Sequence, residues 1–161
     1  MIVIFPGSFD PITYGHLDII ERAEALFGNV IVVMLHNSKK KYFFTPEERM
    51  EQLQDATKHV KGVQLQIFDG LLMDFAKSQD SRLIIRGVRS VSDYEYELPV
   101  AVGIKQLSKD IETFFIPTNP KYSYVSSSMV KELARYKADI SELVPQLIQD
   151  ALLKKYSLIE G

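Results

Sequence analysis

The chain contains no cysteine. Disulfides, thiolate catalysis and cysteine-ligated zinc are therefore excluded. Histidine is almost as scarce: only three occur, His16, His36 and His59, too far apart for metal-ligand spacing. An excess of one charge is lacking too. The formal net charge is −2 over 161 residues, so there is no overall footprint for nucleic acid or a membrane surface. An anionic ligand would need a local cluster of cations. No apolar run approaches the ~20 residues of a membrane span. Met1–Phe5 is apolar but too short for a signal h-region and has no basic flank. These absences predict a cytoplasmic protein.

What is present is ordinary for a globular chain: 46% apolar and 25% charged residues. The length predicts one domain, residues 1–161, with a core large enough to need no staples. Short apolar runs at Met1–Phe5, Val30–Leu35 and Arg82–Ile85 read as buried strands. Val63–Phe68 alternates apolar residues with glutamine, as a strand near a sheet edge does, and Glu112–Ile116 is a fifth strand. Helical spacing fills the intervals, at Gly15–Phe27, Leu71–Ser78, Asp93–Leu107 and Ser126–Tyr136. Gly28 stands where a glycine cap belongs. Thr45-Pro46-Glu47-Glu48 opens a helix to about His59 with a capping box and a first-turn proline. Pro99 and Gly103 stand inside the Asp93–Leu107 pattern and weaken it. Ser141–Tyr156 holds one or two closing helices, with Pro145 opening the second or kinking a single one.

Five alternations of strand and helix at βαβ spacing predict an α/β fold. It would be a single doubly wound, Rossmann-like domain with a five-stranded parallel sheet in the order 3-2-1-4-5. Such sheets bind ligands beyond the carboxyl ends of their strands, where the order reverses. Here that point lies between strands one and four, and the loops after strands one, four and five would share the crevice.

Those loops carry the unusual residues. Pro6–His16 joins strand one to its helix; glycines let backbone approach a ligand, and the helix start offers unpaired N–H groups to phosphate. His16 adds a ring donor in the first turn. Lys39-Lys40-Lys41 follows strand two, where one lysine can reach the crevice as a phosphate point charge, although each taken singly reads as solvated. Arg86-Gly87-Val88-Arg89 follows strand four and offers two guanidinium forks, or simply two surface arginines. The carboxylates of Asp93-Tyr94-Glu95-Tyr96-Glu97 just beyond suit a helix N-terminus; they cap and pair there, or orient the arginines or a ligand ribose or amine. Ser126, Ser127 and Ser128 open the helix after strand five, where capping alone needs one serine.

Together these segments resemble phosphopantetheine adenylyltransferase, a bacterial family of the nucleotidyltransferase superfamily with the His-x-Gly-His signature. The opening motif is Gly7-Ser8-Phe9-Asp10-Pro11 and Thr13-x-Gly15-His16, with Thr13 in place of the first signature histidine, as is usual in that family. Arg86–Arg89 and Asp93–Glu97 follow, then Tyr122-Ser123-Tyr124-Val125-Ser126-Ser127-Ser128 with Val130-Lys131-Glu132. The resemblance covers almost the entire chain. It implies reversible transfer of an adenylyl group from ATP to 4'-phosphopantetheine, giving dephospho-coenzyme A and pyrophosphate in coenzyme A biosynthesis.

By the same resemblance, His16, Lys40 and Arg89 would be catalytic. Ser8, Phe9, His16, Gly87, Val88, Arg89, Glu97 and Tyr122 to Ser128 would hold ATP. Ser8, Lys40, Leu72 and Arg86 would hold the acceptor. Lys40 is singled out among three consecutive lysines by register alone. Magnesium (Mg2+) would ride on the phosphates rather than on protein ligands, and the protein would be a homohexamer. Gly103 and Ile104 stand where that family often has Met-Asn, which removes an amide from the pantetheine arm. The nearest rival reading is a sibling such as a nicotinate mononucleotide adenylyltransferase or a cytidylyltransferase. A non-catalytic nucleotide sensor on the same fold is a further one. A fragment of a class I aminoacyl-tRNA synthetase fits less well, because the chain has neither the length for a tRNA-binding domain nor a basic balance.

Overall fold

A computed structural model describes residues 1–37 and 39–160. Five strands alternate with helices: β1 (Ile2–Gly7), α1 (Tyr14–Phe27), β2 (Asn29–Leu35), α2 (Pro46–Thr57), β3 (Val63–Phe68), α3 (Leu72–Ser78), β4 (Leu83–Val88), α4 (Val91–Leu107) and β5 (Glu112–Pro117). A single 3-10 turn, Pro120–Tyr122, leads into α5 (Ser127–Arg135) and then α6 (Gln146–Glu160). The strands form one parallel sheet in the order β3-β2-β1-β4-β5, as the alternation predicts.

Alternation along the central strands sorts side chains between two faces. Val3 and Phe5, Val30, Val32 and Met34, and Ile85 join the core cluster that α1, α2, α5 and α6 cover. Ile4, Ile31, Val33 and Ile84 point the other way and meet Phe75 and Ala76 of α3 and Ile104 of α4. Both faces are thus buried, which is why the strands read as continuous apolar runs. The edge strand β3 is only partly buried, matching its glutamines.

Helix ends follow their local chemistry. Thr45 accepts from the Glu48 N–H while Glu48 Oε2 accepts from the Thr45 N–H, so two orphan donors of α2 are satisfied reciprocally. Gly28, at φ +79°, closes α1. Helix α4 differs from its predicted start: Ser90 caps it, so it begins at Val91, and it runs unbroken through Pro99. The closing region resolves to one helix after Pro145; residues 141–143 form a turn, with Leu143 N–H and Val144 N–H donating to Ile140 O. Ser38, inside the basic loop after β2, lies outside the described residues. Among the described residues no helix is long and apolar enough to cross a membrane.

The sheet opens at its switch point. β1 and β2 pair along six positions, but β1 and β4 pair only at Ile4 opposite Ile84. Pro6, which has no N–H to give, lies just beyond, and Arg86 Nη1 donates to its carbonyl at 3.4 Å. The gap past Ile4 is the mouth of the site.

Candidate active site

Two chambers open beyond the carboxyl ends of the strands. The first has a volume of about 300 Å³ and is lined by Ser8, Thr13, His16, Arg86, Arg89 and Ser126, among others. The second, about 600 Å³, is lined by Ser8, His36, Lys39, Lys40, Tyr42 and Arg86, among others. Gly7, Ser8 and Arg86 border both chambers and form the ridge between them. Two anionic ligands could therefore lie end to end across one ridge.

The first chamber is rich in hydrogen-bond donors. Residues at the starts of α1 and α5 line it, so two helix N-termini face one volume, and α4 adds Asp93 and Glu97. Thr13 caps α1, Ser90 caps α4 and Ser126 caps α5. Two arginines from β4 and its loop add full charges, and each is held by a carboxylate of α4. Arg86 donates from Nε and Nη2 to Glu97 at 2.8 and 2.5 Å, a bidentate fork. Arg89 donates from Nε and Nη2 to Asp93 at 3.0 and 3.3 Å, and from Nη1 to the Val125 carbonyl at 2.9 Å. α4 thus orients both guanidinium groups before any ligand arrives.

His16 is set by the cap of α1. The Thr13 backbone N–H donates to His16 Nδ1 at 3.1 Å, and the His16 N–H donates to Thr13 Oγ1 at 3.4 Å. A histidine thereby takes the place a glutamate has in an ordinary capping box. An accepting Nδ1 carries no proton, so Nε2–H is the donor left for a ligand. Burial first, then the charges of Arg89 and Arg86, lower the His16 pKa from 6.5 to about 4. At neutral pH the ring is an uncharged donor.

The β1–α1 loop is locked by packing. Phe9 adopts φ +46°, uncommon for a residue with a side chain, and is fully buried with its ring edge-on to His16 at 5.3 Å. The ring lies across Gly7, where a Cβ would sit 2.7 Å from Phe9 Cζ, so only glycine fits. Asp10 is buried and accepts from the N–H groups of Phe43 and Phe44 at 2.8 and 2.9 Å and from Lys131 Nζ at 3.2 Å. It ties the β1–α1 loop to the lysine loop and to α5. Ser127 Oγ donates to Pro11 O at 2.7 Å and adds a second tie.

The predicted site residues divide. His16, Ser8, Arg86, Gly87, Arg89 and Glu97 border the first chamber, with Val125, Ser126 and Ser127. Lys40 borders the second, together with Lys39. Phe9 offers only backbone, since its side chain is core. Val88 pairs with Pro117 in the sheet. Tyr122 stacks on Tyr14, Ser123 Oγ donates to Pro120 O, and Tyr124 is exposed; these three and Ser128 stand outside the lining of both chambers. Leu72 packs against the core beneath the sheet. Ile104 is buried in that same core, and a Cβ on Gly103 would meet nothing within 4 Å, so this segment faces the sheet or open space rather than a chamber.

Reading by residue type missed Thr13 as a partner of His16, Asp10 as a tie, and Arg49, whose side chain is completely buried behind Ser8. Among the described residues no group of three His, Asp or Glu side chains could hold a metal ion. Both carboxylates of the first chamber, Asp93 and Glu97, are occupied by arginines.

Comparison with known proteins agrees with this architecture. The Cytidylyltransferase-like family matches residues 4–133. Among solved structures the chain is similar to the Plasmodium falciparum nicotinic acid mononucleotide adenylyltransferase complexed with NaAD. The TM-score is 0.72 at 16% identity, over 97% of each chain. At that identity the likeness is one of fold.

Proposed function

Because the chain belongs to the cytidylyltransferase-like family, we propose that it is a nucleotidyltransferase that moves the adenylyl group of ATP onto 4'-phosphopantetheine, giving dephospho-coenzyme A and pyrophosphate. The observation that carries this reading is the shared ridge of Gly7, Ser8 and Arg86 between a chamber fitted for a polyphosphate and a second one lined by lysines. ATP occupies the first and the phosphorylated acceptor the second, so that the acceptor's phosphate meets the α-phosphate over Ser8.

The chemistry asks little of the protein beyond position and charge. An oxygen of the acceptor phosphate, already anionic near neutral pH, attacks the α-phosphorus. The bond from that phosphorus to the α,β-bridging oxygen breaks, and pyrophosphate leaves with the electron pair. No proton need be removed, so no general base is required. Charge builds on the α-phosphoryl oxygens, and the neutral Nε2–H of His16 stabilises it without attracting a counter-charge of its own. Arg89 and the N-termini of α1 and α5 share that charge, and Lys40 with Arg86 holds the acceptor phosphate. Magnesium would be carried by the phosphates of ATP and would offset their charge, since among the described residues no group of side chains could hold it. The pantetheine arm leaves past Asp69 and Gly70 toward the start of α3, where Leu72 lies.

Assembly into a homohexamer is part of the same proposal. Helix α4 buries only Ile104 and exposes Val91, Tyr96, Val100, Val102 and Leu107, more apolar surface than a lone helix face ordinarily shows to water. Light scattering returning a monomer would remove this part.

The acceptor is tested by following pyrophosphate release with ATP or CTP against phosphopantetheine, nicotinate mononucleotide and glycerol phosphate. Release with ATP and phosphopantetheine alone is expected. Preference for another acceptor makes the chain a sibling enzyme, and ATP binding with no release makes it a nucleotide sensor.

A further inference from the structure

Arg49 is the largest completely buried side chain described, and it is charged. It stands on the inner face of α2, four residues before Leu53 and seven before Ala56, where an apolar residue would pack as well. A buried ion is seldom retained for stability, because apolar replacements of equal volume are often neutral or better. Its partners give another reason. Nη1 donates to the Ser8 carbonyl at 2.8 Å. Nη2 donates to His36 Nδ1 at 3.2 Å. The guanidinium carbon lies 4.0 Å from the centre of the Tyr42 ring, which in turn stacks at a tilt on His36 and accepts from the Asn37 N–H through its hydroxyl. Among the described residues Nε finds no acceptor.

Every one of these partners belongs to a chamber wall: Ser8 to the ridge, His36 and Tyr42 to the second chamber. A peptide plane points its C=O and the following N–H in opposite directions. Turning the Ser8 carbonyl toward Arg49 therefore turns the Phe9 N–H away from it, in a residue already held at φ +46°.

We infer that Arg49 is a positioning residue that sets the spacing between the ridge at Ser8 and the lysine-bearing loop, and so sets the fit of the second chamber to a phosphate monoester. The inference rests on reading that chamber as the acceptor's. Arg49 touches no ligand; it acts through Ser8, His36 and Tyr42. Lysine cannot replace it, because one ammonium group cannot span two acceptors and lie flat on a ring.

The test compares the wild-type chain with Arg49→Met, which keeps length and packing, and with Arg49→Lys, which keeps charge. Hydrogen–deuterium exchange needs no substrate. Segments 8–9 and 39–44 should exchange at least about tenfold faster in both variants while β1 to β4 stay protected. In steady-state kinetics the KM for phosphopantetheine should rise about tenfold or more, the loss expected for hydrogen bonds to a charged group, with the ATP dissociation constant within about threefold. Should Arg49→Met fail to fold, Arg49→Lys carries both measurements. Unchanged loop exchange, or an unchanged acceptor KM in folded protein, overturns the inference. Faster loop exchange in a wild-type background that does not use phosphopantetheine leaves the positioning intact and removes the acceptor reading instead.

Discussion

The Thr13 backbone N–H points at His16 Nδ1 from 3.1 Å, inside the capping box of α1. One hydrogen bond therefore does two things: it closes a helix, and it decides which nitrogen of the histidine carries the proton. Protonating the ring would set a second N–H against that of Thr13.

The surroundings of the same ring set a pH dependence. His16 is held near 4 rather than 6.5 by burial, Arg89 and Arg86. Its folded pKa is depressed, so between about 4 and 6.5 the unfolded chain binds the extra proton and the folded chain does not. Stability attributable to His16 is then level above about 6.5 and declines as pH falls through that window. Turnover should show no limb from His16 between pH 5 and 8. Nitrogen NMR of the imidazole at pH 7 should find Nε2 protonated and Nδ1 bare; a titration midpoint near 6.5 contradicts the arrangement.

His16→Ala should lower turnover about 10²–10³-fold, the usual loss for one donor aimed at developing charge. The ATP dissociation constant, measured by calorimetry, should change far less. Equal loss in both would make His16 a ground-state contact.

Lys39 and Lys40 border the second chamber and Lys41 does not. Single alanine variants should separate accordingly, with the largest rise in acceptor KM at Lys40 and a change within about threefold at Lys41, as for an exposed charge. A dominant effect at Lys41 would show that a different lysine serves the phosphate.

Asp10→Asn should destabilise the fold by about 2–4 kcal/mol, because its amide would set a donor against Phe43 N–H, Phe44 N–H or Lys131. Urea denaturation measures this directly, and a midpoint equal to that of the wild type would show that the tie is dispensable.

Glu97→Ala removes the bidentate partner of Arg86. Since Arg86 stands on the ridge between chambers, the KM for the acceptor should rise about tenfold or more. An effect confined to the KM for ATP would place Glu97 on the nucleotide instead.

Much of this molecule is legible in its sequence because the responsible interactions are local. Thr45 and Glu48 announce the start of α2 within four residues, and the apolar runs of β1, β2 and β4 announce burial on both faces. Pro99 misleads only mildly, since the helix around it simply continues. What stays hidden depends on distance along the chain. Asp10 meets Phe43, Phe44 and Lys131, none of which its own neighbourhood suggests. Arg49 looks like one more charge on an amphipathic helix; its alignment with Leu53 and Ala56 is the one sign that it points inward. The run Tyr122–Ser128 reads as one motif, yet Tyr122 ends a 3-10 turn and only Val125, Ser126 and Ser127 border the first chamber.

In the proposed reaction an adenylyl group crosses the ridge at Ser8 between ATP and phosphopantetheine. That reaction is tested most directly in reverse, by supplying dephospho-coenzyme A, pyrophosphate and magnesium and measuring ATP. ATP should form when all three are present and fail to form when either dephospho-coenzyme A or pyrophosphate is left out. No ATP from the complete mixture, with a folded protein that binds ATP, would contradict the account.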